Sequence, residues 1–246
     1  MKERRRLDPT AAALHVLAMA CMLCDHLWAS VVPGNDWLTC VGRIAFPIFA
    51  FLLVEGYFHT KNLKAYVRRL LIVALLSEIP FNLVAGSRLF YPIHQNVLWT
   101  FLIAIGLMHW NGKVREKHLW VRLGVGFASV VVGYLAGLLA MVDYYHAGVL
   151  TVLTFFFFRE RTWWSRLGQL VCLWYINVEM LSGFAYEVAF GGGSLFLVRQ
   201  GFALLALLPI WLYRGEQGNS SKAFRRFCYE FYPAHLLVLG LLKFIL

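Results

Sequence analysis

The sequence predicts an all-α, polytopic integral membrane protein. It reads as one helical bundle over residues 1–246, with about nine transmembrane helices, the N-terminus cytoplasmic and the C-terminus external. Three observations lead there. Of the 246 residues, 60% are hydrophobic and 15% charged, where soluble domains carry about 25% charged residues. The apolar excess runs the whole length of the chain, with a mean hydropathy of +0.64. Lys and Arg gather in every second connecting segment, as they do on the cytoplasmic side of membrane proteins.

A membrane span needs about 20 apolar residues. The first, 10–32, follows the basic MKERRR run and so resembles a signal peptide. It lacks a small-residue cleavage site and carries Asp25 and His26, so it reads as a retained helix. A Pro33-Gly34-Asn35-Asp36 turn separates it from 37–58. The spans 66–86 and 94–110 flank a loop holding Arg88. Next come 121–141 and 143–158, joined by the shortest linker, from Met141 to Asp143. The glycines at 191–193 separate 164–183 from 192–213, and 227–246 closes the set after the polar stretch 214–226.

With the N-terminus inside, segments 1–9, 59–69, 111–122, 159–166 and 214–226 are cytoplasmic and hold 19 of the 23 Lys and Arg. The other four are Arg43, Arg88, Arg199 and Lys243, and only Arg88 lies in a clearly external loop. Topology therefore accounts for the net charge of +10, and no nucleic-acid partner is inferred. The five cysteines sit in or beside apolar segments without disulfide-like spacing, so they read as buried thiols. Cys21-x-x-Cys24 lies inside an apolar helix and is followed by Asp25-His26, so it gives neither a haem-attachment motif nor an expected metal site.

Ionisable groups within spans are costly and mark functional sites. By helix direction, Asp25, His26, Arg43, Glu78, Asp143 and Glu179 fall in the outer half of the membrane, with Asn82, His146 and Asn177. Arg199 joins them at roughly 9 Å into its span. Convergence on one outer cavity is expected, with opposite charges paired. Glu55, Glu230 and His235 are further ionisable groups within spans. The first helix carries His15, Met19, Met22 and His26 on one face, the histidines about 16 Å apart along the axis. Such a face is either ordinary packing or the wall of a passage toward an outer site. Asp25 lies about 100° around the helix from His26 and is a poor candidate to orient its ring. An arginine, Arg43 or Arg199, is its expected partner. Pro47, Pro80 and Pro233 stand near Arg43, Glu78 and His235, where freed backbone carbonyls suit a cavity wall.

Several segments resemble the TraX family. These are LHVLAMACMLCDHLW at 14–28, GRIAFPIFAFLLVEGYFHT at 42–60, RRLLIVALLSEIPFNL at 68–83, NVLWTFLIAIGL at 96–107 and FCYEFYPAHLLVL at 227–239. DYYHAGVLTVL at 143–153 is a looser match. The family takes its name from a conjugation protein that acetylates the N-terminus of F-type pilin, and it is more distantly similar to the transmembrane acyltransferases. The resemblance implies a multi-pass protein of the bacterial cytoplasmic (inner) membrane. It further implies an enzyme that moves an acetyl group from cytoplasmic acetyl-CoA to an amine or hydroxyl reached from the membrane or external face. His26 matches the superfamily's first-helix histidine, and Glu55 stands where a serine is usual.

The expected catalytic set is His26, Arg43, Glu78 and Asp143. His26 serves as the base, Arg43 (or Arg199) stabilises the oxyanion, and the carboxylates are candidates to orient the histidine. Arg199, Asn96, Tyr232 and His235 are the expected acyl-CoA contacts. The acceptor (peptide, glycan or small molecule) stays open, and membrane lipid is the surrounding partner. A proton-coupled transporter is the alternative, since buried Asp, Glu and His also form proton relays.

Overall fold

The computed structural model describes residues 8–190 and 193–245. Most of the basic segment 1–9, together with Gly191 and Gly192 of the glycine turn, lies outside the described residues. The helices are α1 Ala11–Ser30, α2 Asp36–Gly42, α3 Ala45–His59, α4 Leu63–Gly86, α5 Val97–Lys113, α6 Leu119–Leu139, α7 Tyr145–Phe157 and α8 Trp163–Trp174. A π-helical turn, Tyr175–Met180, prolongs α8. Then come β1 Ala185–Phe190, β2 Gly193–Val198, a 3₁₀ helix Arg199–Ala206, α9 Leu207–Leu212 and α10 Lys222–Ile245.

Helix starts follow local chemistry. Thr10, Asn62, Asn96 and Thr162 each accept a hydrogen bond from a backbone N–H of the helix that follows. The span expected at 37–58 breaks in two at Arg43–Ile44. Pro47 explains the position: it has no N–H for the Arg43 carbonyl, and its ring crowds that carbonyl. Arg43 thus stands at a helix break rather than within a continuous span.

Among the described residues, five helical stretches are long and apolar enough to cross a membrane: Ala11–Ser30, Asp36–His59, Leu63–Gly86, Leu119–Leu139 and Lys222–Ile245. Tyr145–Phe157 and Arg199–Leu212 are shorter apolar helices. The fold is predominantly helical, as expected, but one expected span needs correction. Between α8 and the 3₁₀ helix, β1 and β2 form an antiparallel hairpin pairing Ala185 with Val198 through to Phe190 with Gly193. The run at 192–213 is therefore no single span; it opens as a strand and continues as a 3₁₀ helix. Hydrophobicity alone does not separate a short apolar strand from a helical segment.

Large apolar side chains cover much of the surface as well as filling the core. Trp120, Phe127 and Leu139 on α6 are more than 70% exposed, and Leu75, Leu76 and Ile79 form a similar exposed patch on α4. Lipid suits these faces. The buried stripe of α6 is small instead, with Ser129, Gly133 and Gly137 at spacings of four. A Cβ at Gly137 would come within 2.6 Å of the Tyr145 carbonyl oxygen, so glycine is what lets α6 approach α7. The main core joins α1, α3, α5, α7 and α9 through residues such as Leu14, Ile48, Met108 and Leu153. Helix α10 packs along α4 and α1, with Phe81, Val84, Leu236 and Leu239 in a second cluster. All five cysteines are free; Cys21 is buried and the rest half-buried.

Candidate functional site

Two cavities enter the bundle from opposite ends. The first, about 300 Å³, is lined by His15 and Met19 of α1 and by Gln217, Asn219 and Arg225. It opens where the polar segment 214–226 lies. The second, about 520 Å³, is lined by Asp25, His26, Arg43, His94, Asp143, Tyr144, Arg199, Gln200 and Lys243, among others. Met22, Phe49, Val97, Phe101 and Tyr232 line both. One layer of side chains therefore separates them. The stripe expected along α1 runs through both cavities, with His15 and Met19 in the first, Met22 at the junction and His26 in the second.

His26 is held by a histidine, not by a carboxylate. Its Nδ1 lies 2.7 Å from His235 Nε2, and His235 Nδ1 lies 2.7 Å from the Phe231 carbonyl oxygen. The rings stack with centroids 5.0 Å apart. A carbonyl only accepts, so His235 Nδ1 carries the proton. In a neutral ring its Nε2 then accepts, and His26 Nδ1 must donate. His26 Nε2 is left with its lone pair and no protein partner among the described residues. This assignment makes His26 Nε2 the basic nitrogen. His235, an expected acyl-CoA contact, also bonds His26 and in this arrangement sets its tautomer.

Asp25 pairs with Arg43, one of the two arginines the sequence offered. Thr39 Oγ1 donates to Asp25 at 2.7 Å, and Arg43 Nη1 donates to Gln200 Oε1 at 3.2 Å. Gln200 in turn donates to Asn177 at 3.1 Å. Both charged side chains are less than a fifth exposed. At that burial the attraction offsets desolvation only because the remaining polar atoms are also bonded. Gly42 makes room, since a Cβ there would strike the Asp25 side chain.

Asp143 Oδ1 lies 3.3 Å from His94 Nε2, an ion-pair distance without the alignment of a hydrogen bond. Its Oδ1 also accepts from the Tyr144 backbone N–H at 3.1 Å. Met141, Tyr144 and Tyr145 around it have positive φ angles of 50°, 58° and 46°. Strain of this kind in non-glycine residues persists only where surrounding structure enforces it.

Two expected site residues turn away from the cavity. Glu78 accepts from Trp99 Nε1 at 2.6 Å and from the Asn96 side-chain amide. Asn96 is fully buried, caps α5 and donates to the Ala74 carbonyl oxygen at 3.0 Å. Neither lines either cavity. Together they tie α4 to α5, a fastening at depth that charge counting in a single helix does not distinguish from a catalytic carboxylate. Arg199 lies over the rings of Trp28 and Phe184, at 4.8 and 5.6 Å, not beside Asp25. Tyr232 is buried where the cavities meet. Glu55 bonds Arg159 at 2.8 Å, away from both cavities, in a cleft of its own.

The profile described as "TraX protein" matches residues 10–243. The chain belongs to the TraX family. It is also 32% identical over 112 residues to a probable fimbrial assembly protein FimC, serogroup H1, of Dichelobacter nodosus. That match covers 41% of this chain and 46% of the relative, so it spans less than half of either protein. No solved structure matches significantly.

For this TraX family member, sequence reasoning passed over His94, Thr39, Gln200 and Lys243 as site residues. Thr39 stands one helical turn before Arg43 and Gln200 is next to Arg199, so both carried a positional signal. His94 carried none, because it comes from the irregular segment before α5.

Proposed function

We propose that this protein is a membrane-embedded acetyltransferase that uses acetyl-CoA from the cytoplasmic side and an amine or hydroxyl acceptor from the other. One observation carries the reading. A histidine with a free, accepting nitrogen lines one cavity, and a second cavity from the opposite end reaches the same layer of side chains. The TraX resemblance supports acetyl transfer. The fimbrial assembly relative supports an acceptor connected with surface filaments.

In this reading His26 Nε2 takes the proton from the acceptor amine or hydroxyl as its nitrogen or oxygen attacks the thioester carbonyl carbon. Arg43 supplies positive charge to the oxyanion. The C–S bond then breaks, and the His26 imidazolium returns its proton to the departing thiolate. Acetylated acceptor and free CoA result. Tyr232 and Met22, at the junction of the cavities, border the thioester.

The test uses purified protein and radiolabelled acetyl-CoA. Wild type should release or transfer the label, and His26→Ala should lose about 10²–10⁴ in rate while staying folded and still binding CoA. Binding is read as a rise in melting temperature. If acetyl-CoA and CoA leave the melting temperature unchanged and no label moves, the acetyltransferase reading fails and proton-coupled transport replaces it.

A further inference from the structure

We infer that the outer part of the His26 cavity binds an oxyanion, a phosphate or carboxylate carried by the acceptor, through Arg199 and Lys243. This rests on reading that cavity as the acceptor chamber. Asp25 is matched by Arg43, and Asp143 stands 3.3 Å from His94 and accepts from the Tyr144 backbone N–H. Glu78 is turned away toward Asn96 and Trp99. Arg199 and Lys243 remain, both lining the same cavity. Among the described residues neither has an acidic side chain within ion-pair distance.

Each cation is held by groups that leave its donors open. Arg199 lies over the faces of Trp28 and Phe184, which attract its charge without using its N–H groups. A guanidinium has five such donors. Lys243 Nζ donates to the Val84 carbonyl oxygen at 2.7 Å, which leaves two of an ammonium's three donors unused. Both cations are half-buried, so their open donors face the cavity and gain from a charged acceptor. Preset with free donors in a single cavity, they form a site that an anion completes.

Position agrees with this role. Lys243 lies eight residues beyond His235 in α10, about 12 Å along the axis. The anion therefore sits toward the mouth, and the amine or hydroxyl of the same molecule reaches inward to His26. A cavity of about 520 Å³ holds a small phosphorylated or carboxylated compound, or the end of a larger one. A phospholipid headgroup and a soluble phosphate ester share this chemistry.

The experiment uses the full chain in dodecyl maltoside micelles, which carry no phosphate or carboxylate. Melting temperature is followed against sn-glycerol 3-phosphate, with potassium chloride at equal ionic strength as the control. A second arm adds phosphatidylglycerol to the micelles. Wild type should be stabilised in at least one arm. Arg199→Gln and Lys243→Gln should each weaken the response about tenfold, the effect of one lost charge-assisted hydrogen bond. Arg199→Lys, which keeps the charge, should retain part of it. Response in the soluble arm marks a soluble acceptor, and response in the lipid arm alone marks a headgroup. No response in either arm, or one undiminished in folded Lys243→Gln protein, overturns the proposal. CoA-induced stabilisation of wild type, measured in parallel, reports separately on the acetyltransferase reading.

Discussion

His235→Ala removes the acceptor that holds the His26 Nδ1 proton, and its consequences can be worked through from the geometry. The His26–His235 contact is 2.7 Å, and His235 is only 8% exposed. A buried donor left without its partner costs about 1–3 kcal/mol. If that free energy keeps the proton on Nδ1, losing it lowers the rate by about 5- to 150-fold. Truncating a buried ring also leaves a void worth several kcal/mol, on the order of 3–5 for large aromatic side chains, so the melting temperature should fall as well. His235→Gln separates the two effects, because its side-chain oxygen can accept from His26 and should restore much of the rate. Turnover, CoA-induced stabilisation and the ¹⁵N resonances of His26 are the measurements. The wild-type spectrum should show a protonated Nδ1 and a bare Nε2, and His235→Ala should shift toward the opposite tautomer. Normal turnover in folded His235→Ala protein, or a wild-type proton on His26 Nε2, would refute the assignment.

Asp25→Ala and Arg43→Ala should each destabilise the protein by about 3–5 kcal/mol, since each strands a buried charge. The double variant should lose clearly less than the sum, as read from chemical denaturation. Gly137→Ala forces a methyl group against the Tyr145 carbonyl and should cost about 1–3 kcal/mol. Gly106→Ala meets nothing within 4 Å and should be neutral or slightly stabilising, so equal melting temperatures for the two variants would contradict the α6–α7 packing. Reporter fusions at Gly218 should read cytoplasmic, and fusions following residue 246 external. A same-side result would reject the odd-numbered topology.

The sequence by itself determined the membrane character of the chain and the approximate place of most helices. Hydrophobicity and turn residues are local properties, and α1, α4, α5, α6, α7 and α10 lie close to their expected segments. It also limited the partners of Asp25, because a buried carboxylate needs a cation and few cations lie at that depth. Tertiary structure decided the rest. A helix direction and a depth place Glu78 as well as Arg43 in the outer half, but they do not say which way each side chain turns. Only the packing of α4 against α5 sends Glu78 to Asn96 and Trp99. The hairpin at 185–198 was hidden because β1 falls in a short stretch between two expected spans and the apolar run of β2 scores alike as strand or helix. The His26–His235 pair joins residues 209 positions apart. No local pattern encodes such a contact; it follows from α10 packing along α1, and that packing is what gives His26 its free nitrogen.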